Sequence, residues 1–354
     1  MGINNLNVFL RKNCPDIFEE IHLSEYAYKK VAIDTSLFLC KYKAIYGDKW
    51  LSAFVNLVCS LRRNEVHAVF IYDNGSPPEK EAEKEERRKQ QENLKNKVLE
   101  LENSLEKFIN TGELESNLLD LYKKIKDDNP PRLLRKKDDN IDINLIKNKI
   151  DKMKSNILNI SLTDFTLTKE LFDILKIPYY NAILEAETTC SDLCKRGLVD
   201  AVLSEDTDLL AYETPIFLNK IDTYTDTCIR INYNNLLDSL ELTSSEFLDF
   251  CIMCGCDYNK NIPKIGSQTA FKYLKKYKTI ENIKDNLDID ISILNHVRTR
   301  EIFKNYEKIE IANIPFCGRP DIDELKVFLE NNNLSININN LIKSFNNNII
   351  IVDE

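Results

Sequence analysis

Apolar residues recur along the chain in two rhythms. Lys30-Val31-Ala32-Ile33-Asp34 is a short continuous apolar run closed by a carboxylate, and Ala68-Val69-Phe70-Ile71-Tyr72-Asp73 repeats the design. Runs of this length read as strands buried on both faces. Between them, Leu37 to Leu61 carries helical apolar spacing. Thr168 to Leu175 reads as a helix, Ile177 to Tyr180 as a strand, and Ala186 to Lys195 as a helix closed by Gly197. Asp200 to Leu203 is a further short strand, followed at once by Ser204-Glu205-Asp206-Thr207-Asp208. Strands alternating with helices predict an α/β fold with a mostly parallel central sheet and helices on both faces.

The stretch 79–156 breaks this rhythm. It is rich in charge, almost free of glycine, and interrupted at Gly112 and Pro130-Pro131. Leu94, Val98, Leu101, Leu105 and Phe108 recur at steps of four and three, which is one apolar stripe on a long helix. A solvated coiled-coil hairpin would carry such a pattern. So would a mobile element over an active site, which the departure straight from a strand-end carboxylate favours.

Composition narrows the classes. Of 354 residues, 43% are apolar and 30% charged, as expected of a globular protein with a sizeable core. No apolar stretch approaches the ~20 residues of a membrane span, and the N-terminus carries no secretory signal. An intracellular location follows as the expectation, either a nucleus or a cytoplasmic viral replication compartment, with the ten cysteines reduced. The spacing of Cys251, Cys254 and Cys256 raises zinc. Their neighbours read as a buried helix and no matching Cys/His pair lies nearby, so core thiols are expected. A net charge of −9 argues against a protein that merely coats nucleic acid.

The negative charge has a pattern. Asp34 and Asp73 end strands, Glu185 and Glu187 open a helix, Asp206 and Asp208 follow a third strand, and Asp257 follows a fourth apolar segment. Open α/β sheets place their sites at the carboxyl ends of the strands. Taken singly, Glu185 is also explained as a helix-start charge, and Asp206 with Asp208 as a turn. Seven carboxylates in one pocket would repel one another unless cations neutralised them. An all-oxygen donor set points to Mg²⁺, with Mn²⁺ as a substitute. Two such ions about 4 Å apart suit phosphodiester hydrolysis.

Two basic stretches accompany the acids. Lys80, Lys84, Arg87, Arg88 and Lys89 follow Pro78, interleaved with Glu79, Glu81, Glu83, Glu85 and Glu86. That alternation fits either a phosphate-gripping face or i,i+4 ion pairs. From Lys264 to Lys278 there are five lysines (264, 272, 275, 276 and 278) and no acid. Such a patch suits sequence-independent, salt-sensitive duplex contacts, or else a solvated face.

Several segments resemble the signatures of the flap endonuclease family. They are Met1-Gly2-Ile3, Val31-Ala32-Ile33-Asp34, Tyr72-Asp73-Asn74-Gly75 with Pro77-Pro78, Glu185-Ala186-Glu187, Glu205-Asp206-Thr207-Asp208-Leu209-Leu210 and Gly255-Cys256-Asp257-Tyr258. The resemblance runs from Met1 to about Leu329, outside much of the 79–156 insertion. It implies a structure-specific 5′ endonuclease and 5′–3′ exonuclease acting on flapped or branched DNA in replication, repair or recombination. Asp34, Asp73, Glu185 and Glu187 would mainly hold one metal, and Glu187, Asp206, Asp208 and Asp257 the other. The insertion would be a helical arch. Lys80, with Lys84 or Arg87, would grip the scissile phosphate. Ile262–Ala270 resembles the family's helix–two-turn–helix, in which Lys264, Gly266 and Ser267 would present a duplex-binding turn, often with K⁺, backed by Lys272, Lys275 and Lys276. Gly2 would let the backbone pass close to DNA.

Two departures stand out. Lys264 replaces a glycine common in flap enzymes, and Cys40 lies where those enzymes have a base-stacking tyrosine. The junction-resolvase branch of the family can carry a cysteine there, so a Holliday-junction resolvase is the nearest rival. A catalytically idle module that binds branched DNA is the rival of another class, but such a binder would gain affinity by losing the seven acids. The expected organisation is a single nuclease domain over 1–354. Within it, nuclease regions span 1–78 and 157–258, the arch 79–156, a duplex-binding region 259–330 and an extension 331–354. The final residues lack a glutamine- and diaromatic-containing tail, so no sliding-clamp docking through a C-terminal tail is expected. A monomer is expected.

Overall fold

The computed structural model describes residues 2–128, 141–157, 160–334 and 336–346. Seven strands form one sheet: β1 (Glu19–His22), β2 (Lys30–Asp34), β3 (His67–Tyr72), β4 (Tyr179–Asn181), β5 (Ala201–Leu203), β6 (Ile216–Asp222) and β7 (Thr227–Asn232). Their order is β1-β7-β6-β5-β2-β3-β4. β6, β5, β2, β3 and β4 run parallel, and β7 pairs antiparallel with both β6 and β1. The α/β expectation with a mostly parallel sheet is met.

Ahead of the insertion lie α1 (Leu6–Asn13), α2 (Thr35–Tyr46) and α3 (Trp50–Arg63). The insertion forms α4 (Glu81–Thr111), α5 (Ser116–Asp128) and α6 (Ile143–Ser155). Then come α7 (Leu162–Ile174), α8 (Ala186–Lys195) and α9 (Asp208–Ala211). After the sheet lie α10 (Tyr233–Leu240), α11 (Ser244–Cys254), α12 (Ser267–Tyr277), α13 (Ile280–Leu287), α14 (His296–Lys304), α15 (Ile322–Asn331) and α16 (Ile338–Asn346).

Strand side chains alternate between faces, so the short apolar runs feed two cores. Val31, Ile33, Phe70, Tyr72 and Leu203 meet α2, α3, α7, α15 and α16 on one face. Ala32, Val69, Ile71, Val202 and Phe217 meet the remaining helices outside the insertion on the other. Trp50 and Phe54 lie in the first core, and Cys251, Cys254 and Cys256 are buried free thiols in the second. α4 to α6 build a third core from Val98, Leu101, Leu105, Leu118, Ile125, Ile146 and Ile150, with Leu94 and Phe108 against it. No helix among the described residues is long and apolar enough to cross a membrane.

The helical spacing of Leu37–Leu61 is realised as two helices, because Gly47 takes φ 52° and ends α2. The strand expected from Ile177 starts at Tyr179. β1, β6 and β7 were not anticipated; β1 holds a single buried apolar residue, Ile21, and β6 and β7 mix apolar with polar positions. Gly112 ends α4 at φ 72° as expected, whereas Pro130-Pro131 lie outside the described residues.

Candidate active site

Because five neighbouring strands run parallel, their carboxyl ends share one side of the sheet. Three of the acids there, Asp34, Asp73 and Asp206, are pinned by a nearby backbone N–H. Asp34 ends β2 and caps α2, its Oδ1 accepting from Leu37 N at 3.0 Å. Asp73 follows β3, and its Oδ1 accepts from Ala186 N at 2.7 Å, at the start of α8. Asp206 follows β5 and accepts from Asp208 N at 2.9 Å. Glu185 is the residue before α8 and Glu187 lies in its first turn. Asp257 follows α11, where Gly255 at φ 87° turns the chain.

The acids act on one another electrostatically. Burial first, then Asp73 and Asp206, pushes the Asp34 carboxyl well above the ordinary range. Burial pushes up Glu187 too, reinforced by Asp34, Asp73 and Asp206. Asp208 rises through burial and the charges of Asp206, Asp257 and Glu185. Asp206 is likewise raised by burial, with Asp257 adding to it. The seven sequence-predicted acids therefore form one network at the strand ends.

Two predicted basic residues join it. Lys80 Nζ lies 2.5 Å from Glu185 Oε1 and 3.0 Å from Asp257 Oδ2. Burial alone would favour the neutral amine, but Glu185, Glu187 and Asp257 outweigh it and keep the ammonium charged. Arg87 reaches both Asp257 oxygens at 3.2 Å and also pairs with Glu83. Lys84 is not brought in; it stands in solvent on α4. The interleaved-glutamate pattern is real farther along, where Arg88 and Lys89 pair with Glu85.

Divalent cations fit this donor set. It is all-oxygen and crowded with like charge, and the buried Asp208 Oδ1 has no hydrogen-bond partner. As the side chains stand, no three acidic, histidine or cysteine groups among the described residues are arranged to hold an ion. Between Glu185 and Asp257 the neutralising positive charge is supplied by Lys80.

Gly2 has a packing role that the sequence reading did not assign to it. A Cβ there would lie 2.1 Å from Asp206 Oδ1 and 2.8 Å from Asp208 N, and its φ is +83°. The backbone presses on the acid-bearing loop itself, a contact that local sequence does not announce. At the second basic stretch, Lys264 adopts φ 68°, the conformation a glycine there would take freely. Gly266 precedes α12 without a side-chain cap and with open space where a Cβ would be, leaving the α12 N–H groups accessible beside Ser267. Lys272 and Lys276 are exposed. Lys275 is otherwise engaged: its Nζ donates to Leu240 O at 2.9 Å and pairs with Glu241 at 2.7 Å, closing the end of α10. Sequence reading also missed Tyr258 and Tyr212 as site residues, although Tyr258 adjoins Asp257. Tyr258 donates to Glu185 Oε2 at 2.6 Å and lies 2.8 Å from the Tyr212 hydroxyl.

Known proteins share this chain's sequence pattern and fold. Residues 1–94 match the XPG N-terminal domain and residues 176–257 the XPG I-region. The chain is 34% identical over 342 residues to the protein described as "Probable RAD2-like endonuclease 076L" of Invertebrate iridescent virus 3, covering 88% of each. It is 25% identical over 345 residues to Flap endonuclease 1 of Ostreococcus lucimarinus, covering 92% of this chain and 78% of that one. The catalytic core of Rad2 in complex with DNA substrate superposes with a TM-score of 0.67 over 97% of this chain and 98% of that one, at 16% identity, a likeness of fold. The class is an XPG-type nuclease, a DNA-cleaving hydrolase. Within it, the chain belongs to the family of RAD2-like and flap endonucleases, whose members use divalent metal.

Proposed function

We propose that this chain is a divalent-metal-dependent 5′ flap endonuclease with 5′–3′ exonuclease activity. It hydrolyses a phosphodiester near a single-strand/double-strand junction, leaves a 5′-phosphate, and serves replication, repair or recombination. The observation that carries this reading is the network of seven acids meeting Lys80 and Arg87 at the base of the inserted helices. Asp34, Asp73, Glu185 and Glu187 would hold one Mg²⁺ or Mn²⁺, and Glu187, Asp206, Asp208 and Asp257 the second. When bound, such a pair supplies Lewis acidity that acidifies an attacking water and stabilises the leaving oxygen.

The remaining work falls to the chain. Lys80 and Arg87, now paired with Glu185 and Asp257, exchange those partners for the scissile phosphate and neutralise charge as it develops. The N-terminus of α12, with Lys264, Gly266 and Ser267, holds a duplex phosphate near a K⁺ site. Lys272 and Lys276 extend that contact away from the branch. The 79–156 insertion acts as the arch and 259–330 as the duplex-binding region of a monomer.

The test is a panel of end-labelled 5′-flap, 3′-flap, nicked, bubble and four-way substrates with Mg²⁺. Preferential 5′-flap cleavage is expected. Asp206→Asn and Asp208→Asn should each lower the rate by about 10³-fold or more while flap binding persists. Near-normal turnover by both variants would sink the assignment. One observation favours a second reading, cleavage of four-way junctions. Cys40, half-buried on α2, offers no aromatic face, and burial together with Asp34 and Asp73 raises its thiol to about 11. Faster cutting of intact four-way junctions than of flaps would replace the first reading with this one.

A further inference from the structure

Three of the acid-bearing segments are joined by a chain of hydroxyls. Tyr212 closes α9, the short helix that opens with Asp208, and its N–H donates to Asp208 O at 2.9 Å. Its hydroxyl lies 2.8 Å from that of Tyr258, the residue after Asp257. Tyr258 in turn donates to Glu185 Oε2 at 2.6 Å. Both phenols are buried, and Phe303 of α14 packs on both rings, with centroids at 4.7 Å from Tyr212 and 5.3 Å from Tyr258.

The geometry sets the direction of the chain. Tyr258 is the donor and Glu185 Oε2 the acceptor, while the other carboxylate oxygen, Oε1, faces Lys80. The Tyr258 oxygen is then free to accept, and the Tyr212 proton points to it. Oε2 is thereby held by Tyr258 and Oε1 by Lys80, so Oε1 is the oxygen Glu185 can offer once Lys80 exchanges it for the scissile phosphate.

We infer that Tyr212 and Tyr258 are positioning residues that hold Glu185 to a single-oxygen role toward a divalent cation and fix the spacing of the Asp208, Asp257 and Glu185 segments. This rests on the reading that Glu185 is a metal ligand. Hydrogen-bonded partners of a ligating carboxylate orient it, and their loss typically weakens metal binding by about 10- to 100-fold.

The experiment is calorimetric titration of the full chain with Mn²⁺, without DNA, alongside the Mg²⁺ dependence of cleavage. Tyr258→Phe keeps the ring and removes the donor. It should weaken Mn²⁺ binding by about 10- to 100-fold and move the Mg²⁺ midpoint upward, while KM for DNA stays unchanged and excess metal restores the rate. Restoration by metal is what a merely structural defect would not show. Tyr212→Phe removes only the outer link and should produce a smaller shift in the same direction, which keeps the test open if Tyr258→Phe does not fold. Glu185→Gln separates the two levels. If it leaves Mn²⁺ affinity unchanged, the metal-ligand reading itself fails. If it weakens binding while folded Tyr258→Phe or Tyr212→Phe binds Mn²⁺ like the native chain, the hydroxyl chain alone is overturned.

Discussion

Gly2 and Asp206 are distant in sequence and closer in space than any side chain on residue 2 would permit. The seven acids were legible because each sits at a boundary that local pattern reveals, a strand end or a helix start. Gly2 was legible only as part of a motif, since the atom that excludes a Cβ comes from another segment. Gly2→Ala should displace the Asp206 carboxylate, and a misplacement of about 1 Å costs roughly 10²-fold in rate. Single-turnover cleavage at saturating Mg²⁺, with unfolding followed separately, measures this; a native rate would show that the loop yields at no cost. His67 opens β3 as a buried residue, and its surroundings set its titration. Its Nδ1 accepts from Cys317 N at 3.1 Å and lies 3.1 Å from Arg62, with Phe316 against the ring. Burial, then Arg62 and Lys30, lower it from the ordinary 6.5 to about 4. The folded state keeps His67 neutral, so the unfolded chain takes up the proton first as pH falls. Stability should be unaffected by this group above about pH 6.5, decline between 6.5 and 4, and level off below. His67→Asn keeps an acceptor without the titration, so its melting temperature should fall less steeply across that window. Parallel curves for the two proteins would remove His67 from the acid response.

At the scale of elements, the buried central strands were legible because both faces are apolar and the runs are continuous. The β6–β7 hairpin was not, because a register shift between Asn219 and Asp222 interrupts its alternation and Lys220 takes φ 50°. The break between α2 and α3 was hidden for the opposite reason: both helices bury their apolar residues in the same core, so the spacing runs on across Gly47. The lysine patch shows what one-dimensional reading cannot resolve. Spacing groups Lys272, Lys275 and Lys276 together, whereas their partners separate them, since Glu241 and the end of α10 claim Lys275. Replacing Lys272 and Lys276 with Ala should weaken duplex binding on every sequence alike and reduce the slope of log K against log salt by about 2. Lys275→Ala should leave that slope unchanged and lower the melting temperature slightly. A slope that responds to Lys275 and not to the other pair would reverse the assignment.

Taken whole, the molecule uses the two ends of its sheet differently. At the amino ends, the segment after α14 is tied down by Lys30 to Asn313 at 3.4 Å and by His67 to Cys317. At the carboxyl ends, the inserted helices are anchored over the acids. Arg298 of α14 holds Glu79 at 2.6 Å, Lys80 and Arg87 hold the acids, and Lys260 lies 3.6 Å from Glu86. The far end of the insertion returns to the core through α6, which touches α2. Only the departure point and the Leu94–Phe108 stripe were legible beforehand; the second foothold depends on a contact between distant helices. An insertion held at the acids and again on α2 would, as an arch, admit a strand from its free end and obstruct a continuous duplex arm. A protein cap on the 5′ end of the flap, added before the enzyme, should therefore slow cleavage by at least about tenfold, a loss of roughly 1.4 kcal/mol in transition-state stabilisation. The same cap added after the enzyme has bound in Ca²⁺, with Mg²⁺ supplied last, should have little effect, because the strand has already passed. Equal rates for capped and free flaps, together with rapid cutting of intact four-way junctions, would mean that the inserted helices swing aside, and the substrate would be a junction of duplex arms.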